Sequence, residues 1–278
     1  MPESGALASM YDFTGQTIVI TGGTGVLGAE LVHALAEHGA TLAILVRSAE
    51  RGKPLLERLG KRASQATLYT ADVLDRASLQ AACDAIVARH KTIDCLVNAA
   101  GGNKPKATTS ADLKFFDLPE DAIKEVFELN ILGTILPCQV FGKVMAEQKY
   151  GTILNFSSMS GIRPLTRIPA YSAAKAAVNS FTEWLAVHMA QEYSPKIRVN
   201  AIAPGFFLTN QNRFLLLDRD SGEPTPRGKS IVSHTPMNRF GSPEDLLGTI
   251  LWLLSPASAF VTGTVVAVDG GFAAFSGV

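Results

Sequence analysis

Cysteine is scarce in this chain of 278 residues, and net charge is absent. The three cysteines, Cys83, Cys95 and Cys138, are odd in number and far apart. They argue against a disulfide framework or a cysteine metal site, and read as buried small hydrophobes. Five histidines show no H-E-x-x-H or Cys/His spacing, so no metal is expected. Twenty-five basic residues balance twenty-five acidic ones, which leaves no electrostatic footprint for nucleic acid. No run reads as the roughly 18 apolar residues of a membrane span. "MPESGALASM" has neither a basic n-region nor an apolar h-region, so the expected compartment is the cytoplasm.

What is present is alternation. Short apolar runs, "TIVIT" (17–21), "TLAILV" (41–46), "ATLYTA" (66–71), "IDCLVN" (93–98), "GTILNFS" (151–157), "IRVNAIA" (197–203) and "TVVAVD" (264–269), read as strands buried on both faces. Helical patterns lie between them, for example 26–38, 76–90, 119–147, 170–192 and 243–255. The expectation is an α/β, doubly wound (Rossmann) seven-stranded parallel sheet with helices on both faces, in one domain spanning 1–278. Two segments break the rhythm: 101–118 is polar and loop-like, and 205–242 is turn-rich. Insertions after strand ends are where such folds build substrate sites.

"TGGTGVLG" (21–28) follows the first strand and opens a helix, which is the context a phosphate-binding turn needs. Two registers fit it. G-x-G-x-x-G uses Gly23, Gly25 and Gly28. T-G-x-x-x-G-x-G uses Thr21, Gly22 and Gly28, and puts Val26 where its middle glycine belongs. The expected cofactor contacts are Gly22, Thr24, Gly25, Val26 and Leu27, with Gly28 packing the helix and Gly25 supplying flexibility that Val26 lacks. At the end of the second strand an acid usually binds the adenosine ribose of NAD. Here the residues are Val46, Arg47 and Ser48. Arg47 can pair with a 2′-phosphate, so NADP(H) is favoured over NAD(H).

The strongest signal is "SSMSGIRPLTRIPAYSAAK". Tyr171 and Lys175 are four apart on a helix, hence on one face. Ser158 lies just past a strand's carboxyl end. Interconverting a ketone and an alcohol needs a proton donor or acceptor at the oxygen. Free tyrosine is too weak an acid for this near neutral pH. A nearby ammonium would favour its phenolate, and Ser158 could polarise the carbonyl.

With "ADVLD", "NAAG" (98–101), "VFELNILGT", "APGFFLT" (203–209) and "VDGG", these residues resemble the short-chain dehydrogenase/reductase family along essentially the whole chain. The resemblance implies a tetrad of Asn130, Ser158, Tyr171 and Lys175, with Asn130 holding a proton-relaying water. It implies that Asp72 and Val73 lie by the adenine, and that Asn98, Ala99 and Gly101 support the cleft. Pro204, Gly205, Phe207 and Thr209 would border the nicotinamide and pyrophosphate. It also implies a homotetramer or homodimer.

"FFDLPED", "APGFFLTNQNR", "TPMNRFGSPEDLLG" and "DGGFAAFSGV" are similar to a subgroup, the D-mannonate oxidoreductases, which interconvert D-fructuronate and D-mannonate. A sugar acid needs a cation for its carboxylate and polar groups for its hydroxyls. Candidates are Asn103, Arg163, Arg167, Gln211, Asn212 and Arg213, with Lys104 beside them. Other polyols, keto-sugars and 3-oxoacyl compounds are the alternative substrates. A cofactor-sensing protein is the alternative outside enzymes.

Overall fold

The computed structural model describes residues 8–208, 213–218 and 221–277. Seven strands form one parallel sheet in the order β3-β2-β1-β4-β5-β6-β7. They are β1 Thr17–Thr21, β2 Thr41–Val46, β3 Ala66–Thr70, β4 Cys95–Asn98, β5 Gly151–Phe156, β6 Ile197–Pro204 and β7 Val265–Val268. The chain runs outward from β1 to β3, then restarts beside β1 at β4. That reversal opens a crevice at the strands' carboxyl ends, where ligands bind in open sheets.

Alternating side chains feed two cores. Ile18, Ile20 and Ile44 meet helices α1 (Val26–Glu37), α2 (Ala49–Leu59) and α9 (Leu247–Leu254) through Leu31, Leu35, Leu55 and Leu253. Val19, Leu96 and Ile153 point the other way. They meet α3 (Arg76–His90), α5 (Gly133–Gln148) and α6 (Pro169–His188) through Leu79, Ile86, Phe141, Met145 and Leu185. Burial on both faces is why the strands read as continuous apolar runs.

The expected 119–147 helix is α4 (Glu120–Phe127), a π turn at Glu128–Leu132, then α5. Contrary to the sequence reading, this run is long and apolar enough to cross a membrane, with mean hydropathy 1.3 in its most apolar window. More than half of that window, 56%, is buried in the protein, as befits a core helix. The 170–192 pattern ends as α6 at His188 and continues as a π turn, Met189–Tyr193. The turn-rich 205–242 stretch holds α7 (Arg213–Leu216) and α8 (Pro226–Ser233). Helix α2, between β2 and β3, is a crossover helix of the expected alternation that the named examples did not include. It contains Pro54 and buries only Gly52, Leu55 and Leu59.

One buried cation braces the last strands. Arg198 on β6 is 7% exposed. Its Nη2 donates to Thr152 Oγ1, Leu253 O and Ser255 O, and its Nη1 to Val261 O, at 3.0–3.3 Å. Arg198→Leu would remove one donor from each of these acceptors; the three carbonyls would keep only Asn200 Nδ2 or Ser258 Oγ. We expect it to destabilise the fold by on the order of 3 kcal/mol, read as a lowered urea midpoint.

Candidate active site

The glycine turn is shaped by contact as much as by conformation. Gly22 has φ +70°, and a Cβ there would lie 2.5 Å from the backbone of Ala99 and Ala100. A Cβ on Gly28 would lie 2.3 Å from Gly22 O. These two positions therefore require glycine. Gly25 needs it less: its φ is −74°, an ordinary extended value, and a Cβ would lie 3.3 Å from Gly22 O at the N-cap of α1. The flexibility expected of it is not used. Val26 needs none, because it is the first helical residue.

Helix α1 starts with no side-chain cap and no acid in its first turn. Its leading N–H groups therefore lack a side-chain partner at the cleft, which fits a phosphate. The cleft, of ≈ 470 Å³, is lined by Gly22, Thr24, Gly25, Val26, Leu27 and Gly28 at this end. Arg47 lines it from the end of β2, and Pro204, Gly205 and Phe207 from the end of β6. Among the described residues no carboxylate lines it, and its charged groups are Arg47 and Lys175. That is the electrostatics a pyrophosphate needs, so the residues fit a dinucleotide.

Ser158, Tyr171 and Lys175 line the same cleft. Ser158 caps the 3₁₀ turn Met159–Gly161, accepting from Ser160 N at 3.2 Å, with Ser160 Oγ at 3.0 Å. Accepting both bonds would leave the Ser158 O–H to donate into the cleft. Tyr171 and Lys175 extend from the first two turns of α6, and Lys175 Nζ lies 5.7 Å from the tyrosine ring centre. Lys175 is only 3% exposed, and its Nζ donates to Phe156 O at 2.7 Å.

The acid–base balance differs from the sequence expectation. Burial pushes Tyr171 above its ordinary value, and the Ser158 hydrogen bond opposes this only in part. Burial also pulls Lys175 down to about 8. The expected lowering of the tyrosine by the ammonium is not found: burial raises it, and the Ser158 hydrogen bond is the opposing influence.

Asn130 sits in the π turn and is fully buried. Its Nδ2 donates to Gly102 O at 2.8 Å and to Val126 O at 2.7 Å, and its Oδ1 accepts from Gly102 N at 3.1 Å. Both amide hydrogens are thus committed. A water at this side chain would have to donate to the remaining Oδ1 lone pair. A Cβ on Gly101 would approach Asn130 Oδ1 at 2.9 Å and Lys175 Nζ at 3.1 Å, so a side chain there would crowd both.

Other expected residues fall in or beside the cleft. Ala99 and Gly101 line it, whereas Ser48, Asp72, Val73 and Asn98 do not. Asn98 lies beneath: it is 1% exposed, and its Nδ2 donates to Asn155 Oδ1 at 3.0 Å. The Asp72 carboxylate accepts from Leu74 N in its own turn. Of the substrate candidates, Asn103 bonds Thr108 Oγ1 at 2.9 Å. Arg163, Arg167 and Arg213 are exposed and outside the cleft lining. The neighbouring Lys104 pairs with Glu125. Thr209, Gln211 and Asn212 lie outside the described residues. The sequence reading missed Ala100, Gly102, Phe156, Ser157 and Phe206 in the lining. Their adjacency to "NAAG", "SS" and "APGF" was the available signal.

This arrangement has close counterparts. The family described as enoyl-(acyl carrier protein) reductase matches residues 13–273. The chain belongs to the short-chain dehydrogenase/reductase family. A Bacillus subtilis (strain 168) protein, the uncharacterized oxidoreductase UxuB, is 48% identical over 276 residues, 96% of this chain and 98% of that protein. A Haemophilus influenzae structure, provisionally assigned as a D-mannonate oxidoreductase and holding NAD, is 43% identical with TM-score 0.90. The match covers 98% of this chain and 100% of that one. A gluconate 5-dehydrogenase from Burkholderia cenocepacia J2315, in complex with NADP and tartrate, is 30% identical with TM-score 0.83, over 96% and 99% of the two chains. This short-chain dehydrogenase/reductase is accordingly an NAD(P)-dependent oxidoreductase.

The buried lysine gives a stability signature. Its folded value, about 8, lies below the ordinary 10.5. Between these values the unfolded chain holds more protons, so stability rises as pH rises through that window. Lys175→Met removes the cost of burying the ammonium. We expect it to stabilise the protein at pH 7 by on the order of 2 kcal/mol, after allowing for the lost bond to Phe156. The gain should shrink steadily above pH ~8 in urea titrations.

Proposed function

We propose that this enzyme reduces the ketone of a sugar acid of the D-fructuronate type to the secondary alcohol, with NADPH preferred, and catalyses the reverse oxidation. The observation that carries the reading is the charge of the cleft. Its lining has two cations and no carboxylate among the described residues, so an anionic substrate meets no repulsion. The Haemophilus and Burkholderia proteins, whose descriptions name sugar-acid chemistry, support the same substrate class.

When bound, the nicotinamide supplies or accepts the hydride. Tyr171, kept protonated at neutral pH by burial, donates the proton to the carbonyl oxygen during reduction. The Ser158 hydroxyl donates a hydrogen bond to that oxygen as negative charge develops. Lys175 recharges the tyrosine side of the site, and Asn130 steadies the Gly101–Gly102 wall. Arg47 carries no ion pair among the described residues, which leaves it available for a 2′-phosphate. A homo-oligomer is supported by the exposed Trp184 and Val187 on α6.

A panel of D-fructuronate, 5-keto-gluconate, ketoses and 3-oxoacyl thioesters, read at 340 nm with both cofactors, tests the substrate class. D-Fructuronate should be reduced with the highest kcat/KM; preference for an uncharged ketose or a thioester would reject it. Tyr171→Phe should lower kcat by about 10³-fold or more while cofactor affinity stays within a factor of two. Arg47→Ala should raise KM for NADPH about tenfold and leave that for NADH nearly unchanged. Equal effects on the two cofactors would reject the phosphate role.

A further inference from the structure

Three consecutive residues at the carboxyl end of β5 reach one stripe of α6. Asn155 Nδ2 donates to Thr182 Oγ1 at 2.9 Å. Phe156 O accepts from Lys175 Nζ at 2.7 Å. The Ser157 hydroxyl donates to Asn179 Oδ1, and lies 3.3 Å from the Lys175 carbonyl. Positions 175, 179 and 182 follow the helical spacing of four and three.

Asn179 differs from the others because it reaches two segments. Its Nδ2 donates to Gly161 O at 3.1 Å. A carbonyl can only accept, which fixes the orientation of this amide. Gly161 ends the 3₁₀ turn that Ser158 caps. A Cβ on Gly161 would lie 2.6 Å from the Lys175 carbonyl carbon, so the turn is pressed against the helix backbone there. Asn179 thus grips the chain on both sides of Ser158, at Ser157 and at Gly161. It does so from the helix that carries Tyr171 and Lys175, one turn beyond Lys175.

We propose that Asn179 is a positioning residue that sets the separation between the Ser158 hydroxyl and the Tyr171 phenol. Those two groups stand on different elements and must meet one substrate oxygen. A displacement of about 1 Å between them can cost roughly 100-fold in rate. Asn179 does not line the cleft, so it acts only through what it holds. The inference rests on the roles proposed above for Ser158 and Tyr171.

The test uses Asn179→Leu, which removes both hydrogen bonds at similar volume, and Asn179→Ala in case the leucine variant fails to fold. Hydrogen exchange of the cofactor-free protein should quicken at least tenfold in peptides covering 157–163, and stay unchanged in those covering 17–46. With the carbonyl compound that the wild type reduces fastest, kcat should fall at least tenfold. KM for the cofactor should stay within a factor of two. The primary isotope effect with deuterated nicotinamide cofactor should rise. A purely structural role would lower the melting temperature and the active fraction, and would leave the isotope effect at its wild-type value. Unchanged exchange in 157–163 overturns the proposal, and so does a kcat within twofold of wild type. Exchange is read without substrate, so failure of the fructuronate assignment is seen separately, in the substrate panel. Failure of the tyrosine's role would appear as turnover surviving in Tyr171→Phe.

Discussion

The burial of the Lys175 ammonium constrains everything around it. A cation taken out of water needs a strong acceptor, and the carbonyl of Phe156 supplies one at 2.7 Å. That bond fixes helix α6 over the end of β5. With α6 in that register, Tyr171 lies at the cleft, and Thr182 and Asn179 fall opposite Asn155 and Ser157. Beneath them Asn98 extends the polar chain to β4. The hydrophobic core determines which face of α6 is buried. These directional bonds determine where along β5 it stops.

At the other end of the cleft, close packing performs the equivalent task. Gly28 lies against Gly22 O, and Gly22 lies against the backbone of Ala99 and Ala100. Helix α1, the turn after β1 and the end of β4 are thereby brought within van der Waals contact at the point where the strand order reverses. Side chains at either glycine would separate them. The cleft is therefore bounded at one end by backbone that tolerates no Cβ, and at the other by a buried polar network.

Much of this was legible in the sequence, because it rests on periodicity and on turn chemistry. Seven strands, the position of the crevice, and the approach of Ser158, Tyr171 and Lys175 to one cleft all follow from residues that must be apolar, small or paired. The glycine register was only half legible. Sequence cannot separate a glycine required by positive φ from one that merely tolerates its place, and Gly25 proved to be the second kind. Asn98 opens "NAAG" and by resemblance supports the cleft; its side chain is buried beneath the floor, bonded to Asn155, and does not line it. Arg163 and Arg167 had the right sequence position between Ser158 and Tyr171. A loop's path is not set by periodicity, and this one leaves both guanidinium groups at the surface.

The balance of the two titrating groups carries a consequence for direction. Desolvation acts on both, and each is driven towards its neutral form: the tyrosine upwards, the lysine downwards. A neutral phenol is ready to give a proton, which suits reduction. Oxidation needs the phenolate, and burial alone opposes it. The Ser158 hydrogen bond is the force that works the other way in this geometry. Positive charge beside the ring would add to it. Lys175 can contribute that charge below about pH 8, and loses it above. One site can then serve both directions, the phenol giving its proton in reduction and the phenolate taking one back in oxidation.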